Sequence, residues 1–236
     1  MLRFQTELVP ARLIRRYKRF LADCTLENSG EEITAHCANP GSMMGLAEPG
    51  TRIWLEPNDD PKKKLKFGWR LVDHENGHFT GVDTSLPNRA LKAAFLARAV
   101  PGFEAYTMVR AEVKYGENSR IDFLLGGDGL PDAFVEVKSV TLSREAGLAE
   151  FPDSVTARGA KHLAELSRVA ESGQRAIMLY LVQRTDSESF TLASDIDPGY
   201  AAAYHAATSS GVETFAFGTN ISPDGVALAD PLPVEI

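Results

Sequence analysis

The chain has 236 residues, 44% hydrophobic, 24% charged and 8% aromatic, proportions of a soluble globular protein that exclude a disordered tail, a collagen-like fibre and a membrane protein. Its 25 Lys and Arg against 32 Asp and Glu give a formal net charge of −7, the reverse of the basic footprint usual for a nucleic-acid protein. The charge is uneven, however. Residues 1–70 carry 12 basic and 9 acidic side chains, while residues 71–236 carry 13 and 23, an asymmetry that points to an anionic partner for the N-terminal part.

The first twenty residues concentrate the excess, with Arg3, Arg12, Arg15, Arg16, Lys18 and Arg19 against Glu7 alone. Short apolar runs follow at residues 20–22, 33–35, 52–55 and 65–72. Asn28-Ser29-Gly30, Asn39-Pro40-Gly41-Ser42 and Asn58-Asp59-Asp60-Pro61 separate them. Strands at this spacing, punctuated by turn residues, predict a small all-β barrel over residues 1–82. Asn39-Pro40-Gly41-Ser42 fits a type II turn, and Lys62, Lys63 and Lys64 fall on a hairpin loop. Among the aromatics, Trp54, Phe67 and Trp69 are of a kind that stacks on bases, but their spacing assigns at least two of them to the barrel core.

From residue 83 the period changes. Thr84-Ser85-Leu86-Pro87 is a helix-start signal for a helix over 88–100. Strands are predicted at 106–115, 120–125 and 133–140, a helix at 158–171, a strand at 176–182, a helix at 200–208 and a last strand at 212–218. This order predicts an α/β (α+β) domain over residues 83–236, built on a central sheet.

Alternation along a strand places Phe134, Glu136 and Lys138 on one face and Val135 and Val137 on the other. On the preceding strand Arg120, Asp122 and Leu124 share a face, with Ile121 and Phe123 opposite. Two apolar strands thereby bring together an Asp, a Glu and a Lys, the pattern of the PD-(D/E)xK nuclease fold. Carboxylate oxygens suit a hard divalent cation such as Mg²⁺ or Mn²⁺, and a lysine beside the cation positions the attacking water. Asp122 and Glu136 are thus the metal-ligand candidates, and with Lys138 the catalytic ones. The carbonyl of Val137 is a further ligand candidate, and Glu112 an extra acid. Many nucleases of this fold add a carboxylate from the first helix, where this chain offers Asn88, Lys92 and Ala93. The helix that follows carries Arg158, Lys161 and His162 in its first turns, which suits a phosphate.

Two cysteines, Cys24 and Cys37, are too few for a disulfide framework and point to a reducing cytoplasm. Residues 8–11 make no secretory signal, and the run 176–182 is too short to span a bilayer. His36 and Cys37 adjoin on a strand and so face opposite ways, which prevents a thiol–imidazole dyad. No zinc spacing and no helix-turn-helix is visible.

Several blocks resemble the sugar fermentation stimulation protein A (SfsA) family: Tyr17-Lys18-Arg19-Phe20-Leu21-Ala22-Asp23, the stretch from His36 to Met43, Ser119-Arg120-Ile121-Asp122-Phe123, residues 136–142 and residues 151–162. The resemblance spans nearly the whole chain. It implies an N-terminal OB-fold-like barrel, a C-terminal PD-(D/E)xK nuclease-like domain, DNA binding, and by name a link to regulation of sugar-utilisation genes. Matched by position, the nuclease-like site is Asp122, Glu136 and Lys138.

The leading expectation is a DNA-binding protein with little sequence specificity. Arg12, Arg15, Arg16, Lys18 and Arg19 would meet phosphates on the barrel, and Arg120, Arg158, Lys161 and His162 on the second domain. The alternative is a Mg²⁺- or Mn²⁺-dependent DNA nuclease. A small-molecule or protein-interaction module ranks third. None of the three needs a membrane or an organic cofactor.

Overall fold

The computed structural model describes residues 1–115 and 119–236. Strand β1 (Leu2–Arg3) precedes β2 (Val9–Tyr17), β3 (Leu21–Leu26), β4 (Glu32–Cys37), β5 (Arg52–Pro57), β6 (Phe67–Asp73) and β7 (Phe79–Gly81). Strands β4, β3, β2, β5 and β6 pair in that order. A parallel β4–β6 contact, His36 opposite Gly68 and Cys37 opposite Trp69, closes them into a five-stranded barrel.

Alternation fills its interior. Ala11 and Leu13, Ala22 and Cys24, Ala35 and Cys37, and Ile53 and Leu55 all point inward. The small side chains of β3 and β4 leave room for Trp69, which is fully buried and donates its indole N–H to the Leu71 carbonyl at 2.9 Å. Met43 and Leu46, from the long β4–β5 connection, complete this core.

The second unit comprises α1 (Leu86–Leu96), β8 (Met108–Tyr115), β9 (Ser119–Gly126), β10 (Ala133–Val140), β11 (Leu142–Glu145), β12 (Gly147–Phe151), α2 (Ala157–Glu171), β13 (Arg175–Val182), β14 (Ser187–Leu192), α3 (Pro198–Ser209), β15 (Glu213–Ser222) and β16 (Gly225–Pro231). Its main sheet runs β1-β16-β15-β13-β10-β9-β8, with β10, β13 and β15 mutually parallel. Central β13 is buried along nearly its whole length, as expected of a parallel strand covered on both faces. Helices α2 and α3 cover one face, where Leu163, Leu166, Tyr200 and Tyr204 pack on Tyr180. Helix α1 covers the other, where Leu91 and Phe95 meet Phe123 and Leu179. Pro87 opens α1, and the Thr156 hydroxyl caps α2 by accepting the Gly159 amide at 3.1 Å, both ordinary helix starts.

Several features depart from the sequence reading, among them the three-stranded sheet β11-β12-β14, which it does not predict. The basic run 12–19 is not a segment beside the barrel. It is barrel strand β2 and the turn after it, its alternation hidden because only Ala11 and Leu13 mark the inward face. The last strand is not 212–218. It extends to Ser222, turns through Pro223-Asp224 and returns as β16, with Pro-Asp-Gly as the turn signal. The short β1 lies not in the barrel but on β16, at the edge of the second sheet.

Candidate functional site

Strands β9 and β10 pair through Ala133–Leu125, Phe134–Leu124 and Val135–Phe123. Beyond that point the Asp122 side chain takes over, its Oδ2 accepting the Val137 amide at 2.8 Å. Regular alternation slips there as well. Ile121 shares a core cluster with Leu124, whereas Phe123 packs on the opposite side with Leu125, so Ile121 and Phe123 do not share the face that strict alternation assigns them. The second Asp122 oxygen, Oδ1, accepts the Asn88 side-chain amide from α1 at 2.7 Å. Asn88, on α1, therefore orients the strand acid. The residue was legible in the sequence; its hold on Asp122 was not.

Glu136 projects from β10 on the α2 side and is only 3% exposed. Its Oε1 accepts Lys138 Nζ at 2.9 Å and also contacts His162 Nδ1. The Arg158 Nε–H donates to His162 Nε2 at 3.2 Å, which leaves Nδ1 as the proton donor toward Glu136. The 3.2 Å approach of Lys138 Nζ to His162 Nδ1 is then two donors converging on one carboxylate oxygen. Glu136 Oε2 is buried and has no hydrogen-bond partner among the described residues.

Electrostatics separate the two acids. Burial first, and the Glu136 charge second, raise the Asp122 carboxyl to about 6 against the pull of its two N–H donors. Burial also raises Glu136, but His162 and Lys138 together outweigh it and hold that carboxyl below its ordinary value.

The cleft over these groups is about 450 Å³ and is walled by Glu112, Arg120, Arg158 and Lys161. A neighbouring recess of about 290 Å³ reaches past Asn88 and Lys138 to Thr84 and Ser139. The fold thus brings together Asp122, Glu136 and Lys138, with Arg120, Arg158 and Lys161 at the rim. His162, expected to face a phosphate, is buried and turned onto Glu136. Among the described residues no group of three or more Asp, Glu, His or Cys side chains forms a metal cage.

The barrel cations lie elsewhere and are partly committed. Arg12 pairs with Glu75 at 2.7 Å and Glu27 at 3.0 Å, and Arg15 with Asp23 at 2.8 Å. Arg16 donates to the carbonyls of Asn39 and Gly41 at 2.8 and 2.9 Å, bracing the β4–β5 connection. Lys18 and Arg19 are exposed at the β2–β3 turn, with φ of 49° and 63°. Trp69 is core, Trp54 is half-buried and donates to Asp73, and Phe67 is half-buried at the barrel surface.

Sequence profiles of two domains cover this chain. "SfsA N-terminal OB domain" matches residues 14–82 and "Sugar fermentation stimulation protein RE domain" matches residues 85–225. The chain belongs to the sugar fermentation stimulation protein (SfsA) family. It is 75% identical over 235 residues to the "sugar fermentation stimulation protein homolog" of Roseobacter denitrificans, covering 100% of both chains. It is 76% identical to the one of Ruegeria pomeroyi, covering 98% of this chain and 100% of that one. Among solved structures, Pyrococcus furiosus SfsA in complex with Ca²⁺ superposes with a TM-score of 0.88 at 27% identity, covering 100% of this chain and 98% of the other. No helix among the described residues is long and apolar enough to cross a membrane.

Proposed function

We propose that this SfsA-family protein binds DNA and, with a divalent cation, hydrolyses its phosphodiester bonds at the Asp122–Glu136–Lys138 cleft. The observation that carries this reading is the buried, unpartnered Glu136 Oε2 beside the half-buried carboxylate of Asp122. An ionised carboxylate oxygen inside a protein is costly without a compensating charge or donor, and a hard cation supplies that charge. The residues fit such an ion. Glu136 and Asp122 offer oxygens, the Val137 carbonyl lies on the strand between Glu136 and Lys138, and the cleft has room. A relative whose structure is described as a Ca²⁺ complex supports divalent-cation binding in the family, and Mg²⁺ or Mn²⁺ is the ion proposed for activity.

When bound, the cation acidifies a water and neutralises charge that develops on the phosphate. The chain's own residues supply the rest. Lys138 is held by Glu136 within reach of the same space, where it orients the water and stabilises the scissile phosphate. Asn88 and the Val137 amide fix Asp122. His162 and its partner Arg158 set the direction of Glu136. Arg120, Arg158 and Lys161 receive the backbone on either side, a grip that weakens as salt rises. Two free, buried thiols, Cys24 and Cys37, are consistent with a cytoplasmic setting.

A second reading keeps the DNA binding without the cleavage. It is favoured by Asn88, an amide and not an acid, on the first helix beside Asp122, so that among the described residues Asp122 and Glu136 stand at the centre with Glu112 on the cleft wall. One experiment separates the two readings. Plasmid and single-stranded DNA are incubated with Mg²⁺, Mn²⁺ or chelator, using wild type and Asp122→Ala. The expected result is cation-dependent cleavage that falls on the order of a hundredfold or more in the variant. Binding without cleavage in either metal supports the second reading, and cleavage unchanged in Asp122→Ala removes the assignment of this site.

A further inference from the structure

The recess beside the acid cleft does not end at Ser139. It shares Thr84 and Ser139 with a further recess of about 220 Å³ at the junction of the two domains. Strand β10 leads there. Val137 and Ser139 line the first recess, and Thr141, just past the strand's end, lines the second. Thr141 lies three residues beyond Lys138, about 10 Å along an extended chain. The barrel supplies another wall through its Asn39-Pro40-Gly41 turn, which Arg16 holds by the Asn39 and Gly41 carbonyls.

The two linings differ in charge. Arg120, Arg158 and Lys161 wall the acid cleft, whereas no lysine or arginine among the described residues lines the junction recess. Of its two acids, Glu150 is paired with Arg144 at 2.6 Å. Asp153 is half-buried and enters no salt bridge among the described residues. It accepts the Met43 amide at Oδ2 and the Ser154 hydroxyl at Oδ1, which leaves each oxygen a further lone pair. Thr141 is 7% exposed, and its hydroxyl takes no hydrogen bond among the described residues. Pro40 and Phe151 add apolar surface.

An acidic lining without a cation repels a phosphate, which belongs in the cleft. A base fits better, since its faces suit Pro40 and Phe151 and its edge suits the polar groups. Guanine alone among the four DNA bases sets two N–H donors side by side, N1–H and the exocyclic N2 amino group, next to the acceptor O6. A carboxylate accepts the first two, and a hydroxyl donates to the third. We propose that the junction recess is a base subsite that takes guanine beside the scissile phosphate, with Asp153 and Thr141 reading its edge. The proposal rests on the reading that the cleft cleaves DNA, and it gives that reaction a sequence preference.

The test uses single-stranded oligothymidylate with one central guanine, and the same strand with inosine, which lacks the N2 amino group. Wild type, Asp153→Asn and Thr141→Val are compared. With Mn²⁺, wild type is expected to cut one bond beside guanine about tenfold faster than the remaining bonds, the scale of a pair of hydrogen bonds to one base edge. Inosine, or either variant, levels the pattern. Fluorescence anisotropy in chelator reads the same preference without cleavage, as tighter binding of the guanine strand than of the inosine strand. Should Asp153→Asn lower the thermal midpoint, Thr141→Val decides. Uniform cutting of the guanine strand by wild type, or guanine and inosine strands bound alike, overturns the subsite. If no strand is cut, the cleavage reading fails, and the affinity comparison still decides whether the recess selects guanine. A wild type that binds neither strand overturns the DNA-binding reading and the subsite with it.

Discussion

Glu136 shows what an individual residue contributes. Removed from water and left with one unpaired oxygen, it is a poor choice for stability, since buried ion pairs seldom repay their desolvation. The proposed cation would supply the charge that this oxygen lacks. His74 illustrates the opposite case, a titratable group with a purely structural environment. Its Nε2 bonds the fully buried Thr80 hydroxyl at 2.8 Å. Burial first and Arg184 second hold its imidazole below the ordinary value, with His78 adding to the effect and Asp186 and Asp73 opposing it. The unfolded chain therefore binds more protons than the folded one between the lowered folded value and about 6.5, and stability rises with pH through that window. Denaturant unfolding across this range should show His74→Gln losing less stability on acidification than the wild type, while Asp122, raised to about 6, works in the opposite sense in both proteins. A variant that keeps the wild-type slope would place the titration elsewhere.

Among the elements, the β4–β5 connection is one that joins barrel and second domain. Arg16 braces it from below, and Asp153, in the loop that leads into α2, accepts the Met43 amide at 3.0 Å. This approach is possible because residue 41 has no side chain. A Cβ there would lie 2.6 Å from the nearer Asp153 oxygen and 3.0 Å from Asn39 Oδ1. Gly41→Ala is expected to push Asp153 aside and cost about 1–3 kcal/mol, readable as a lower denaturation midpoint. Because the same loop runs into α2, which carries Arg158 and His162, cleavage or DNA affinity should fall with it. A fully stable Gly41→Ala protein would mean that the loop moves freely.

For the whole molecule, the N-terminal residues act as a strap. Strand β1 pairs with β16, and Leu2, Phe4 and Leu8 pack with Leu71 of the barrel, Leu86 of α1, and Ile221 and Val226 of the second sheet. Both units thus share one apolar cluster at the chain's start. Gly225→Ala tests this, because its Cβ would stand 2.5 Å from the Leu2 carbonyl. The expected loss is about 2 kcal/mol, a drop of several degrees in thermal midpoint, together with faster proteolysis around residues 4–8. Unaltered melting and proteolysis would show the strap to be dispensable.

The net charge of −7 is likewise a whole-molecule number that conceals its parts. Much of the barrel's basic excess is neutralised within it, through Arg12, Arg15, Arg52 and Arg70. Lys18, Arg19, Lys63 and Lys64 remain on the open surface, and they frame the Phe20–His36 side of the barrel.

Local pattern was enough for much of this protein. Period-two alternation in residues 133–140, the Ala/Leu-rich period of α1 and the change of character near residue 83 are properties of neighbouring residues. They determined the barrel-then-α/β order and put Asp122, Glu136 and Lys138 forward as partners. What alternation could not express was decided by contacts between distant segments. The ladder between β9 and β10 gives way to the Asp122 carboxylate, so strict face assignment fails at Ile121. His162 turns inward onto Glu136 Oε1, the oxygen that also accepts Lys138, because α2 packs its first turns over β10. Arg12, Arg15 and Arg16, one basic run in the sequence, are divided among Glu75, Asp23 and a loop's carbonyls, because strand β2 directs each toward a different neighbour. The barrel closes through a β4–β6 contact that joins His36 with Gly68 and Cys37 with Trp69, and no local period encodes that meeting.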